Sequence, residues 1–154
     1  MLSALANVLE IRLREELREE LGGTYSVGVS ASAVRVPRDE YRVSISFGSD
    51  PTRADSLVRA VFAQLDTIQA VGPRAGDVAK VKETMVRSRE TNLRENGWWV
   101  GQLLGTVRDG DAAAPPLDPI LARITVESLR DAAKRYLDRS RFVRVTLLPE
   151  APKP

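Results

Sequence analysis

Leucine stands at every fourth position from Leu5 through Leu9, Leu13 and Leu17 to Leu21, and this repeat limits the fold more than any other feature of the chain. Residues four apart lie one above another on an α-helix, so the five leucines draw a single slanted apolar stripe along a helix from Leu2 to Leu21. From Arg12 onward Arg and Glu fill the intervening positions, and Glu10 and Arg14 stand at the favourable i,i+4 spacing. Gly22-Gly23 supplies the stop expected just past a helix C-terminus. A one-sided helix of this length needs an apolar surface to cover, and the next residues provide one. Tyr25, Val27, Val29, Ala31 and Ala33 alternate with Ser26, Gly28, Ser30 and Ser32. After the turn residues Pro37-Arg38-Asp39-Glu40, Tyr41, Val43, Ile45 and Phe47 alternate with Arg42, Ser44 and Ser46. The pattern predicts an antiparallel pair of strands, the first running from Tyr25 to Val36, each with one apolar face.

The remainder reads as helices and one more strand. Asp50-Pro51 pairs an N-cap acid with proline at the first helical position. Leu57, Val58, Val61, Phe62, Leu65 and Ile68 then keep helical spacing up to Gly72-Pro73. A second long helix is predicted from about Asp77, with Val78, Val81 and Met85 inward, and its apolar period fades after Val86. Asn96-Gly97 predicts a break, beyond which Trp98, Val100, Leu103 and Leu104 form an apolar helix to about Arg108. Residues 109–119 read as a loop, Thr125 as the N-cap of a last helix, and Phe142 to Leu148 as a closing strand. This describes one α+β domain over residues 1–148, an antiparallel sheet with helices packed on one face, followed by a flexible tail at 149–154. Three strands are few for so many helices. The proportion implies further strands, from residues before Met1 or from another chain, and an exposed sheet edge through which copies can associate.

Composition removes most chemistry. The 154 residues contain no Cys and no His, which excludes disulfides, thiolate nucleophiles, serine triads and His-based metal sites. The carboxylate pairs Glu15-Glu16 and Glu19-Glu20 sit among arginines on a helix and read as solvated charge. With 23 Lys and Arg against 21 Asp and Glu, interleaved along the chain, there is no gathered cationic face for a nucleic acid. No apolar run approaches a membrane span, and the charged first helix is neither signal peptide nor anchor. Gly22-Gly23 follows a helix and precedes a strand, the reverse of a phosphate loop. The Trp98-Trp99 pair on an amphipathic helix reads as one ring toward the core and one toward a groove or partner.

One segment is more specific. Leu17-Arg18-Glu19-Glu20-Leu21-Gly22-Gly23-Thr24-Tyr25-Ser26 closely resembles the Leu-Arg-Glu-x-Leu-Gly-(Gly/Ala)-x-Tyr-Ser segment of C-terminal, non-catalytic domains in the pitrilysin/insulinase (peptidase M16) family of zinc metallopeptidases. The approach Leu9-Glu10-Ile11-Arg12-Leu13, the hairpin, the Asp-Pro helix start and Glu95-Asn96-Gly97-Trp98-Trp99 are similar to bacterial, pitrilysin-like members, so the resemblance spans roughly Leu5 to Leu148. It implies α+β domains in two halves that close around a peptide, with zinc bound through an inverted His-x-x-Glu-His motif in an N-terminal partner domain or subunit and none in this chain. It also implies substrate binding by Arg18 and Tyr25, which match an Arg and a Tyr of the family motif. A phenolic hydroxyl donates to the oxygen that gains charge when a peptide carbonyl is attacked, and a guanidinium orients substrate backbone or carboxylate. Read without the resemblance, Arg18 is a surface ion-pair partner of Glu15 or Glu20, and Tyr25 is strand-end packing. Relative to the family pattern the strand-rich segment ahead of the first helix is absent, so the domain is expected to be N-terminally truncated. The resemblance points to a bacterial periplasmic location. It also carries an alternative, a non-catalytic assembly subunit of the same family.

Overall fold

A computed structural model describes residues 1–35, 37–110 and 112–150. The leucine stripe forms the centre of the molecule. Helix α1 (Leu2–Arg14) buries Ala4, Leu5, Val8, Leu9 and Leu13, and Leu17 just beyond it is equally sealed. Four residues of ideal α-helix overshoot one turn by ~40°, so a stripe at every fourth position drifts around the axis. The chain offsets the drift by changing its winding. Glu15–Glu20 form a wider, π-type turn, in which Leu21 N–H donates to Glu16 O at 3.0 Å. Leu17 stays on the buried line and Leu21 leaves it, 41% exposed.

Strands β1 (Thr24–Val34) and β2 (Glu40–Ser49) pair antiparallel, with Gly28 opposite Ser46, Ser30 opposite Ser44 and Ala31 opposite Val43. From Val27 onward the expected alternation holds. Val27 is buried, and Val29, Val43, Ile45 and Phe47 pack against the core around α1. The opposite face, paved by Ser26, Gly28, Ser30, Ser44 and Ser46, is exposed. The α+β class with helices on one sheet face is therefore observed. Val36, the last residue assigned to the first strand by sequence, lies outside the described residues.

Asp50 accepts the Thr52 N–H at 2.8 Å and opens a single tight turn, Pro51–Arg53, that runs into α2 (Ala54–Val71). α3 (Ala75–Asn92) and α4 (Asn96–Asp109) are separated at residues 93–95, close to the expected break. At the end of the expected loop, a short helix α5 (Asp118–Ala122) begins and lays Ile120 and Leu121 against the core. In α6 (Val126–Tyr136), Thr125 Oγ1 accepts from Ser128 N and Ser128 Oγ from Thr125 N, a reciprocal cap at 3.1 and 2.9 Å.

The closing strand is a correction. Residues 142–150 are not paired with any strand, and Val143, Val145 and Leu147 are largely exposed. β-Branched composition favours a strand only where a ladder partner is present. Here the segment is held instead by Arg144 on Asp55, Arg141 on the Tyr41 hydroxyl, and Phe142 edge-on to Phe62. Among the described residues the sheet is thus two-stranded, and each strand has one unpaired edge. Of the expected tail, residues 151–154 lie outside the described residues.

Candidate functional site

The two residues singled out by sequence flank a loop that the rest of the chain holds in place. On its helical side, the wider turn starts at two anchored glutamates. Glu15 accepts from Arg12 at 2.6 Å and pairs with Arg74, while Glu16 accepts from Gln64 Nε2 at 2.8 Å. Arg74 also holds the buried carboxylate of Asp77, Nε to Oδ2, at 2.9 Å. The Arg74 hydrogen bond keeps the Glu15 carboxyl below its ordinary value of 4.5, outweighing the upward push of burial. Its bonds to Asp77 and then Glu15 raise the Arg74 guanidinium in turn. The turn that carries Arg18 is therefore tied to α2 through Gln64 and to the start of α3 through Arg74.

The loop itself explains its glycines. Gly22 takes a positive φ of 55°, which L side chains rarely adopt. Gly23 lies outside the positive-φ region but has no room, because a Cβ there would fall 2.4 Å from Leu57 Cδ2. Gly23 N–H donates back to Leu17 O at 2.9 Å. Arg53, from the turn before α2, reaches across and donates to the carbonyls of Leu21 and Gly22 at 2.7 and 3.1 Å.

On the strand side, Thr24 pairs with Ser49 and Val27 with Phe47, so Tyr25 and Ser26 together oppose the single residue Gly48. This is a β-bulge, and such an extra residue turns the side chains around it away from the regular alternation. Tyr25, which alternation alone puts on the core face with Val27, is instead 89% exposed. The Thr24 hydroxyl donates to Ser26 O at 2.9 Å across the bulge.

Arg18 is exposed on the wider turn. Among the described residues neither the Arg18 guanidinium nor the Tyr25 hydroxyl or ring makes a hydrogen bond, ion pair or ring contact. Tyr25 is not packed at the strand end, and Arg18 makes no ion pair with Glu15; the side chain of Glu20, the other partner considered, lies outside the described residues. What the fold brings together is the two ends of one clamped loop, each presenting a free polar group to solvent. Sequence reasoning missed the clamp, because Arg53, Leu57, Gln64 and Arg74 become neighbours only through the packing of α1, α2 and α3. No group of three or more Asp or Glu gathers among the described residues in a way suited to a metal.

Elsewhere, Trp98 is half-buried and lines a shallow depression of about 250 Å³ with Asn7, Met85 and Arg89. The Arg89 guanidinium lies 4.9 Å from the Trp98 ring, and Trp99 Nε1 donates to Leu93 O at 3.0 Å. The depression includes neither Arg18 nor Tyr25.

Comparison with known proteins gives a consistent picture. No curated protein matches the chain. Among solved structures, the periplasmic protease PqqL from Escherichia coli is 24% identical with a TM-score of 0.69, over 87% of this chain and 15% of that one. The ferredoxin protease FusC, solved in complex with Arabidopsis ferredoxin, is 19% identical with a TM-score of 0.67, over 86% of this chain and 15% of that one. A peptidase M16 inactive domain from Pseudomonas fluorescens is 18% identical with a TM-score of 0.67, over 88% of this chain and 34% of that one. These likenesses establish the fold, and the chain spans only a fraction of each relative's length. The model of the peptidase M16 inactive domain matches residues 1–85, more than half of the sequence and the whole of the clamped loop with its supports. The chain belongs to the peptidase M16 inactive-domain family.

Proposed function

We propose that this chain is a zinc-free wall of a pitrilysin-like metalloendopeptidase, contributing substrate contacts to peptide hydrolysis centred on a separate zinc-bearing domain or subunit. One observation carries the reading: Arg18 and Tyr25 are uncommitted polar side chains at the two ends of a loop that is otherwise fully tied down. Preorganised donors of this kind act on charge that develops in a transition state without reorganising. Tyr25 would donate from its hydroxyl to the peptide oxygen that becomes negative, and Arg18 would orient a backbone carbonyl or a carboxylate of the substrate. With neither Cys nor His in the sequence, the residues present do not suit a catalytic zinc. Zinc held by the partner domain would supply the activated water. The similarity to PqqL, a periplasmic protease, supports a bacterial periplasmic location.

The test is to assemble the chain with its zinc-bearing partner and replace Tyr25→Phe. Hydrolysis is expected to fall by about 10²-fold, the scale for losing one donor to a developing oxyanion, with peptide still bound. Unchanged hydrolysis would sink the assigned role.

A second reading, a non-catalytic assembly subunit of the same family, is favoured by the surface of α4. Val100, Leu103, Leu104 and Val107 are exposed on one side of this helix, while the polar Gln102, Thr106 and Asp109 on the other are half-buried. An intact His-x-x-Glu-His motif in the partner would favour the peptidase, and a degraded one the scaffold.

A further inference from the structure

We infer that Arg53 is a positioning residue for peptide binding, setting the loop across which Arg18 and Tyr25 are presented. The inference rests on the reading of Arg18 as a peptide-binding residue. Three features of the geometry support it. First, both hydrogen bonds of the Arg53 guanidinium go to the loop, to Leu21 O at 2.7 Å and Gly22 O at 3.1 Å, and none goes to a carboxylate among the described residues. An exposed arginine that forgoes an ion pair to hold two successive carbonyls is using its planar fork, which a point-charge lysine lacks. Second, those carbonyls belong to the segment between Arg18 and Tyr25, at the C-terminal end of a helix, where the negative end of the backbone dipole favours a cation. Third, Arg53 is itself fixed at the root. It closes the turn whose cap is Asp50, with Arg53 N–H donating to Asp50 O at 3.0 Å, and it stands one helical turn before Leu57, the side chain pressed on Gly23. The loop is thus gripped from one element by a packing contact and a bidentate donor.

A grip of this kind gives no peptide contact of its own. Its effect is to hold the wider turn and the bulge at one separation, so that an extended peptide meets both side chains at once. Small displacements of positioned groups are costly in binding and catalysis, which is why a remote clamp registers at the site.

The experiment measures binding of a fluorescein-labelled, unstructured peptide of about 20 residues containing Asp and Glu to the full chain. Hydrogen exchange of residues 21–25 is followed in parallel. Arg18→Ala is the reference for lost contact, and about a tenfold weakening is expected from loss of charge-assisted hydrogen bonds. Arg53→Ala should accelerate exchange at residues 21–25 without accelerating it in α1 or α6, and should weaken the peptide about fivefold. Millimolar guanidinium ion should restore part of that affinity, and Arg53→Lys should fall between wild type and Arg53→Ala. A purely structural role predicts neither the rescue nor an effect confined to the loop. If Arg18→Ala weakens binding and Arg53→Ala does not, the positioning role is overturned while the reading of Arg18 stands. If Arg18→Ala also leaves affinity unchanged, or the unmodified chain binds no peptide, the functional reading itself fails and the positioning role with it. Should Arg53→Ala fail to fold, Arg53→Lys carries the comparison, and wild-type affinity in that folded variant overturns the proposal.

Discussion

At the scale of single residues, the loop distinguishes two glycines that look alike in sequence. Gly22 is needed for its backbone angle and Gly23 for the space its missing side chain leaves. Replacing Gly22 by Ala should cost about 1 kcal/mol of backbone strain, with nothing to collide with. Gly23→Ala forces a methyl against Leu57, which is 1% exposed, and such overpacking costs about 1–3 kcal/mol. Thermal unfolding checks the difference. Gly23→Ala should lower Tm by several degrees, and Leu57→Ala in the same chain should cost less than it does alone, because the cavity accepts the methyl. A wild-type Tm for Gly23→Ala would show that Leu57 yields freely and that the approach is not a constraint. The sequence announced that a helix stops at this pair, since helix stops are local. Why two glycines are required was not legible, because the reason lies 34 positions away.

Among elements, what was read correctly was what local rules decide. The stripe, the alternation of β2, the Asp50 and Thr125 caps and the break before α4 all depend on neighbours within a turn or two. Thr125→Ala therefore has a definite expected cost, about 1 kcal/mol, since it removes the acceptor for Ser128 N–H. Chemical denaturation should report this as a lower midpoint with an unchanged slope, and an unchanged midpoint would mean that α6 does not rely on its cap. The misreadings share one cause. The wider turn at Glu15–Glu20 depends on keeping Leu17 in the core, and the bulge at Tyr25-Ser26 depends on the register of β2. Residues 142–148 carry strand-forming side chains but find no edge to join. Each depends on a tertiary partner, which period and composition do not encode. The choice of Arg18 and Tyr25 came from a family resemblance, and alternation alone would have turned Tyr25 inward.

For the whole molecule, α1 is the hub, packed on β1 and touching α2, α3 and α6, and charge pairs fasten its far end. Stability should accordingly respond to acid. Glu15 is depressed below 4.5 in the folded chain, so its contribution is complete above the unfolded value and disappears as pH falls through the lower folded value. A Tm profile should decline below about pH 4.5, and Glu15→Gln should flatten part of that decline while lowering Tm at pH 7. A variant whose acid limb matches that of wild type would show that the pair with Arg74 adds nothing to the fold. The supports of the loop also divide the chain. Glu15, Glu16, Arg53, Leu57, Gln64, Arg74 and Asp77 all lie within the residues matched by the family model, whereas most of the exposed apolar side chains lie beyond them. Among the described residues, the side-chain hydrogen bonds and ion pairs that fasten the loop and its wider turn come from α1, the turn before α2, α2 and the start of α3, whereas α6 is joined to them by packing on α1 and α2. The clamped loop and the exposed apolar flank of α4 are thus carried by different stretches of the chain, two separate surfaces on one domain.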